Sequence, residues 1–157
     1  MDTPFLIVGW KEWVTIPELE LPAIKAKIDT GAATSSLHAY DIKYVSIKGV
    51  PYVRYNLHPL QKSKKITRSC LSRLYDKRSV KSSSGLSRKR PVIRVTLKIG
   101  SFEWKIELNL TNRDSMGMRM LIGREALSGK ILVNSGHKFL HGKISSKLLK
   151  ELYKKVL

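Results

Sequence analysis

The sequence has a single cysteine, Cys70, and no long apolar run. One cysteine excludes an internal disulfide and is typical of proteins kept in a reducing compartment. The longest apolar run near the start, residues 5–8, is too short for the core of a signal peptide, and nothing in the sequence reaches the length of a transmembrane helix. These absences predict a soluble, cytoplasmic protein without a membrane partner.

Acidic residues are also scarce: 12 of them stand against 30 lysines and arginines, which gives a formal net charge of +18. Residues 61–90 hold eleven of the basic residues and one acid, Asp76, so this segment alone carries +10. Charge concentrated in one stretch predicts either a surface that faces an anionic partner or a solvated basic loop.

The length of 157 residues and a hydrophobic content of 42% predict one globular domain over residues 1–157. Short runs of alternating polar and apolar residues, separated by turn residues, favour strands. The expected strands cover residues 5–10, 12–16, 23–29, 34–40, 43–48, 52–57, 92–99, 102–110 and 120–122. Many short strands with little helix predict an all-β protein built as a closed β-barrel.

Two helices are expected. Residues 124–127 suit a single helical turn that ends at Ser128 and Gly129. A longer C-terminal helix is capped by Ser145 or Ser146. Its apolar stripe consists of Leu148, Leu149, Leu152, Tyr153 and Val156. We expect this stripe to pack on the barrel or on a second subunit.

Motifs for metals and nucleotides are missing. His137 and His141 are four residues apart, but Gly136 and Gly142 flank them and argue against a helix. On a strand the two histidines would lie about 13 Å apart, too far for one ion. The sequence has neither a P-loop nor a dinucleotide fingerprint, and Cys70 has no histidine near it in sequence. We therefore expect no metal and no cofactor.

Asp29 is the residue most suggestive of catalysis. It ends an alternating run and is followed by Thr30, Gly31 and Ala32. Alone, such a short motif is equally compatible with an ordinary turn. One carboxylate is also a poor acid–base catalyst, whereas two that meet across a symmetry axis share a proton and divide the roles of acid and base. A chain of this length supplies two copies only by forming a homodimer.

The surroundings of Asp29 resemble the active-site loop of retroviral-type aspartic proteases. Residues 120–127 resemble their second signature, in which apolar residues and a glycine precede a short helix. Five blocks are similar to a bacterial family labelled ATP-dependent zinc proteases, whose members look retropepsin-like. The blocks are GWKEWV (9–14), KAKIDTGA (25–32), VKSSSG (80–85), RPVIR (90–94) and LIGREAL (121–127).

The resemblance implies an aspartic peptidase. Asp29 would be the catalytic carboxylate of each subunit, and Thr30 would hydrogen-bond across the two-fold axis. Gly31 would let the backbone N–H approach the carboxylates. Ala32 stands where pepsin-type enzymes carry a hydroxyl, so the pKa of the pair should be higher and activity should lie nearer neutral pH.

Two further sets of residues receive roles from the resemblance. Support for the active site would come from Leu121, Ile122, Gly123 and Arg124, where Gly123 lets the second strand pass behind the loop. Residues 61–90 would form a basic, flap-like insertion, with Lys81, Ser82, Ser83, Ser84, Gly85, Arg88, Lys89 and Arg90 facing substrate. Residues 82–85 suit a turn or a flexible tip.

The substrate would be a peptide or protein. Members of the family occur beside, or fused to, ligases that add glutamate to proteins, which suggests acidic or glutamate-rich tails. Two alternatives stay open. A basic β-barrel without activity would use its charge and its Tyr and Trp side chains to bind RNA or DNA, and a zinc peptidase would match the family's label.

Overall fold

The computed structural model describes residues 4–60, 64–81, 84–112 and 117–156. Its strands are Leu6–Val8 (β1), Lys11–Ile16 (β2), Leu21–Asp29 (β3), Ser35–His38 (β4), Tyr40–Ile47 (β5), Val50–Leu57 (β6), Arg68–Arg73 (β7), Asp76–Lys81 (β8), Ser87–Ile99 (β9), Phe102–Thr111 (β10), Met120–Gly123 (β11) and Ile131–Val133 (β12). The helices are Arg124–Leu127 (α1) and Ser146–Lys154 (α2), with a 3-10 turn at Pro17–Leu19.

Six strands close into a barrel. Their order is β10, β4, β11, β3, β2 and β9, and an antiparallel pairing of β9 with β10 closes the ring. The predictions of an all-β fold, a closed barrel, a short helix after the second signature and a C-terminal helix are confirmed.

Strand alternation decides what fills the barrel. In β3, Ile24, Ala26 and Ile28 are buried in the core, while Lys25 and Lys27 alternate with them on the outer face. The same rule applies to the other barrel strands, so one apolar cluster fills the interior.

Strand β11 lies between β3 and β4, although β3 and β4 follow one another in sequence. It pairs parallel to β3 and antiparallel to β4. Residues 30–34 therefore have to cross the end of β11 to connect its two neighbours. This crossing determines the geometry around Asp29.

Of the remaining strands, β8 pairs with β9 at the edge of the barrel sheet, and the other five form two smaller sheets. Strands β5, β6 and β7 form an antiparallel sheet, and β1 pairs with β12 in parallel. The sequence pattern assigned no strands to β7, β8 or β12. Strands β7 and β8 lie within the basic segment 61–90, where every second side chain is only half-buried and no apolar alternation marks the strands.

The C-terminal helix packs on the barrel, one of the two arrangements that the sequence allowed. Ser145 Oγ caps α2 by accepting a hydrogen bond from Leu148 N at 3.1 Å. Tyr153 is fully buried, and its hydroxyl donates to the carbonyl of Ala23 in β3 at 2.7 Å. Leu148, expected in the apolar stripe, is 43% exposed instead. In the described residues, no helix has the length and apolar character needed to span a membrane.

Candidate active site

Asp29 is the last residue of β3 and lies opposite Gly123 of β11. Its side chain is half-buried, and Oδ1 accepts a hydrogen bond from Gly31 N at 3.0 Å. The Ala32 N–H donates to the backbone carbonyl of Asp29 at 3.3 Å, which closes the turn. Among the described residues, Oδ2 of Asp29 accepts no hydrogen bond. The loop thus holds the carboxylate by one oxygen and leaves the other open.

Gly123 lies where the loop crosses β11. A Cβ atom at this position would be 2.4 Å from the carbonyl oxygen of Thr34 and 2.9 Å from that of Ala32. Contacts this short exclude any side chain. The N–H of Gly123 also donates to Ser35 Oγ at 3.0 Å. This hydrogen bond fixes β11 to the first residue of β4, where the loop ends.

Arg124 fastens the loop to the start of α1. Its Nη1 donates to the carbonyl of Thr30 at 2.9 Å, and its backbone N–H donates to the carbonyl of Ala32 at 2.7 Å. Thr30 is exposed, and Leu121 and Ile122 are buried. The structure therefore brings the motif around Asp29 and the motif around Gly123 into direct contact.

A polar network continues from the loop. Ser36 Oγ donates to Asn109 Oδ1 at 2.7 Å, and Asn109 Nδ2 donates to Thr34 Oγ1 at 3.1 Å. Arg90 Nη1 lies 3.1 Å from Asn109 Oδ1 and 3.3 Å from Ser36 Oγ. Burial lowers the pKa of Arg90 from its ordinary value, because its charge is partly removed from water.

Strands β8 and β9 form a hairpin in the segment that the resemblance assigns to the flap, with Lys81 opposite Ser87. Ser82 and Ser83, which were expected to face substrate, lie outside the described residues. Ser84 and Gly85 lie in the turn, where Gly85 has a φ of +86° that favours glycine.

The predicted flap cations do not share one environment. Lys81, Arg88 and Lys89 are exposed, whereas Arg90 is half-buried at the base of the hairpin. Arg90 therefore belongs with the polar network beside the Asp29 loop rather than with the tip.

A cleft of about 290 Å³ lies between the hairpin, β10 and the loop. Its lining includes Thr34, Val80, Val92, Trp104, Glu107 and Asn109. Trp104 Nε1 donates to the carbonyl of Ala126 at 3.0 Å, which fixes one wall. Asp29 does not line the cleft, but Thr34, five residues further along the same loop, does. The cleft therefore begins beside the candidate catalytic loop.

Within the sequence block at residues 9–14, Glu12 has a structural role. Its carboxylate is fully buried and accepts three backbone hydrogen bonds: from Gly9 at 2.7 Å, from Leu140 at 3.0 Å and from His141 at 3.2 Å. A Cβ on Gly9 would lie 2.4 Å from the carbonyl oxygen of His137. Glu12 and Gly9 thus hold the loop that follows β12.

His141, one of the two histidines of that loop, contacts the backbone of β1. His141 Nε2 lies 2.7 Å from the carbonyl oxygen of Ile7, within hydrogen-bond distance. Among the described ranges of the chain, no group of three or more His, Cys, Asp or Glu side chains could hold a metal ion.

Sequence reasoning missed Ser36 and Asn109. They are 73 residues apart and meet because β4 pairs with β10. Ser36 follows the Asp29 motif without a predicted role, and Asn109 stands in no motif, so only knowledge of the strand pairing could have brought the two together.

The chain is similar to several known proteins. Residues 7–144 match the family described as RimB-like, the retropepsin-like aspartic endopeptidase RimB. The chain is 48% identical over 147 residues to a probable alpha-L-glutamate ligase of Shewanella pealeana, covering 94% of the chain and 32% of that protein. It is 42% identical over 149 residues to a protein of the same name from Desulfotalea psychrophila, with 95% and 32% covered.

The chain thus spans about a third of the length of the curated relatives that it matches. A crystal structure of a Legionella pneumophila protein of unknown function superposes with a TM-score of 0.69 at 30% identity, covering 87% of this chain and 98% of that one. The expected resemblance to a retropepsin-like family is confirmed. The chain belongs to the RimB-like family of retropepsin-like aspartic endopeptidases.

Proposed function

We propose that the protein hydrolyses peptide bonds as a homodimer, using Asp29 from each chain and a water molecule. The observation that carries this proposal is the Asp29 loop. One carboxylate oxygen is held by the Gly31 N–H and the other is open, on a loop that Gly123 and Arg124 fix in place.

Two such carboxylates would divide the chemistry. The ionised one takes a proton from water, and the water oxygen bonds to the carbonyl carbon of the peptide. The protonated one donates to the carbonyl oxygen. The C–N bond then breaks, and the leaving nitrogen takes a proton from the pair. Since the sequence has one Asp-Thr-Gly motif, the second carboxylate comes from a second copy.

Acidic protein tails are the substrates that we favour. Two observations support them: the hairpin at the flap position exposes Lys81, Arg88 and Lys89, and the relatives are named probable alpha-L-glutamate ligases. A glutamate ligase makes the kind of chain that a basic peptidase would attract through long-range electrostatic steering.

Substitution of Asp29 tests the mechanism. Asp29→Asn should reduce peptidase activity by at least about 100-fold, because general acid–base catalysis is lost. The melting temperature should hardly change, since asparagine has the same shape and the site is half-buried. Asp41→Asn, at an exposed position in β5, is the matched control and should keep full activity. Wild-type turnover by Asp29→Asn would refute the aspartic mechanism.

A mixing experiment tests the dimer. Wild-type chains re-equilibrated with an equal amount of Asp29→Asn should lose about half of their activity, because half of them would pair with an inactive copy. Activity per wild-type chain that stays constant would show that each chain works alone. EDTA should have little effect; loss of activity on removal of stoichiometric zinc would favour the zinc peptidase instead.

Nucleic-acid binding is a second candidate, and one surface favours it. Lys11 Nζ lies 4.8 Å from the ring centroid of Trp10 and 5.2 Å from that of Phe139, and Lys25 Nζ lies 5.4 Å from that of Trp13. Lysines interleaved with aromatic rings suit single-stranded nucleic acid. Binding that weakens steeply with salt and is unchanged by Asp29→Asn would support this function.

A further inference from the structure

Residues 134–145, between β12 and α2, form a loop without helix or strand that lies against β2. The backbone N–H of Phe139 donates to the carbonyl of Lys11 at 2.8 Å. The buried carboxylate of Glu12 accepts hydrogen bonds from the N–H groups of the two residues that follow Phe139. Strand β2 therefore fixes the backbone of the loop at Phe139 and directly after it.

Phe139 has a strained backbone. Its φ of +54° lies in the left-handed region, which a bulky side chain rarely adopts. Such strain persists only where the surrounding structure imposes it, and it is concentrated at functional sites. The strain does not serve the core, because the Phe139 side chain is only half-buried. Its ring instead stacks on that of Trp13, with 6.2 Å between the ring centroids and 23° between the planes. The loop thus holds an aromatic ring at the surface of β2.

The stacked rings of Trp13 and Phe139 line a groove of about 440 Å³ between β2, the loop and α2. Three lysines stand around this groove: Lys25 of β3, and Lys138 and Lys143 of the loop. Among the described residues that line the groove, none is acidic. The groove therefore combines aromatic surface with positive charge.

Rings and cations continue to alternate beside the groove. The Nζ of Lys11 lies near the ring centroids of both Trp10 and Phe139, and the Nζ of Lys25 lies over the ring of Trp13. Trp10 is 37% exposed, so its ring is also open to a ligand. A chain that runs along this surface meets three aromatic rings with lysines between them.

This combination suits a single strand of nucleic acid better than it suits an acidic peptide. Every base has a flat face that stacks on an aromatic ring, while lysines contact the phosphates between the bases. A peptide carboxylate has no such face, so it would use the lysines and leave the rings without a partner. In a duplex the bases already stack on one another, and the rings would again stay unused.

We propose that this groove, together with Trp10, is a binding site for single-stranded nucleic acid. Bases stack on the aromatic rings, and the three lysines of the groove contact phosphates. The site is separate from the candidate catalytic residue: Lys25 precedes Asp29 by four residues in β3, a distance of about 13 Å. The assignment rests on the nucleic-acid candidate of the proposed function and does not depend on the peptidase.

Leucine substitutions test the stacking, because leucine keeps apolar bulk and removes the flat ring. Trp13→Leu and Phe139→Leu should each weaken binding of a labelled single strand of about ten nucleotides by about tenfold. Fluorescence anisotropy measures the affinity. Tyr75→Leu is the matched control and should change the affinity less than about twofold. Tyr75 is also exposed and lies beside a cation, with the Arg94 guanidinium 4.9 Å from its ring centroid, but outside the groove.

The lysines are tested through the salt dependence of binding. Each phosphate contact on a single strand contributes about 0.7 to the slope of log K against log salt concentration. Lys25→Gln combined with Lys143→Gln should therefore lower the slope by about 1.4. Lys43→Gln, at an exposed position in β5, is the control and should leave the slope unchanged. The lysine variants also keep the test decisive if a thermal melt shows that a leucine variant does not fold.

The outcomes separate this inference from the proposed function. Binding that is unchanged by the leucine and lysine variants of the groove overturns the inference and leaves nucleic-acid binding elsewhere on the protein possible. If the wild type binds no oligonucleotide at low salt, the nucleic-acid candidate and the inference fail together, and the peptidase proposal is unaffected. Equal affinity for a duplex of the same length contradicts stacking and overturns the inference. A polyglutamate peptide whose binding is weakened as much by Trp13→Leu would assign the groove to acidic protein and likewise overturn it.

Discussion

The two halves of β9 belong to different environments. Residues 92–99 pair with β10, and Ile93, Val95, Leu97 and Ile99 are buried in the core. Residues 87–91 pair with β8, and the first three of them are exposed. One continuous strand thus anchors itself in the barrel and extends a charged hairpin beside the cleft. The comparison shows that the barrel half buries the apolar side chains of the strand, whereas three consecutive cations, at positions 88–90, lie in the hairpin half.

The largest expected effect comes from truncating a leucine in the barrel half. Leu97 is 0% exposed, so Leu97→Ala should lower the free energy of unfolding by about 3 kcal/mol through lost burial and the cavity it leaves. Leu86→Ala, in the hairpin turn at 61% exposure, should change it by less than about 0.5 kcal/mol. Urea unfolding measures both, and equal losses would contradict the division of β9.

A smaller, pH-dependent effect is expected at Glu18, which holds the barrel half of β9. Burial by itself raises the pKa of this carboxyl, but hydrogen bonds from Lys105 and Thr96 outweigh it and lower the pKa from 4.5 to about 2. A lowered folded-state pKa stabilises the fold above pH 4.5, and this stability is lost as the pH falls from 4.5 to about 2.

Comparison with Glu18→Gln isolates this contribution. The free energy of unfolding of the wild type should exceed that of the variant by about 1 kcal/mol near neutral pH. This figure allows for screening by solvent, because the Glu18 side chain is partly exposed. The difference should shrink between pH 4.5 and 2. Glu103→Gln, at an exposed position in β10, is the control. A difference that does not vary with pH would show that the contacts of Glu18 act without its charge.

The smallest effect is expected in the hairpin half. Replacing Arg88 and Lys89 with Gln should change the free energy of unfolding by less than about 0.5 kcal/mol, since both are exposed. The same double variant should slow encounter with an acidic peptide at low salt and match the wild type at high salt. A loss of several kcal/mol would mean that the tip supports the barrel.

The features that the sequence predicted are those formed by residues close to one another along the chain. The antiparallel pair of β9 and β10 follows from clean alternation on both sides of Gly100, and the Asp29 loop follows from a contiguous motif. The burial of Glu12 could not be predicted, because its three N–H partners lie partly in a loop more than 120 residues away.

The different environments of the basic residues in segment 61–90 could not be predicted from the sequence either. Arg78, Arg88 and Arg90 look alike in sequence, yet one is ion-paired, one is exposed and one is half-buried beside Asn109. Cross-strand neighbours decide their environments, and those neighbours depend on strand register.

The insertion of β11 between β3 and β4 also constrains when the site can form. Thr30 and its partner Arg124 are 94 residues apart, so the contact is among the long-range ones that slow folding. At ribosomal rates, roughly 5 to 20 seconds separate the synthesis of these two residues. A nascent chain therefore carries Asp29 for that interval without the strand that positions it, and the loop reaches its working geometry only after the second motif has been translated.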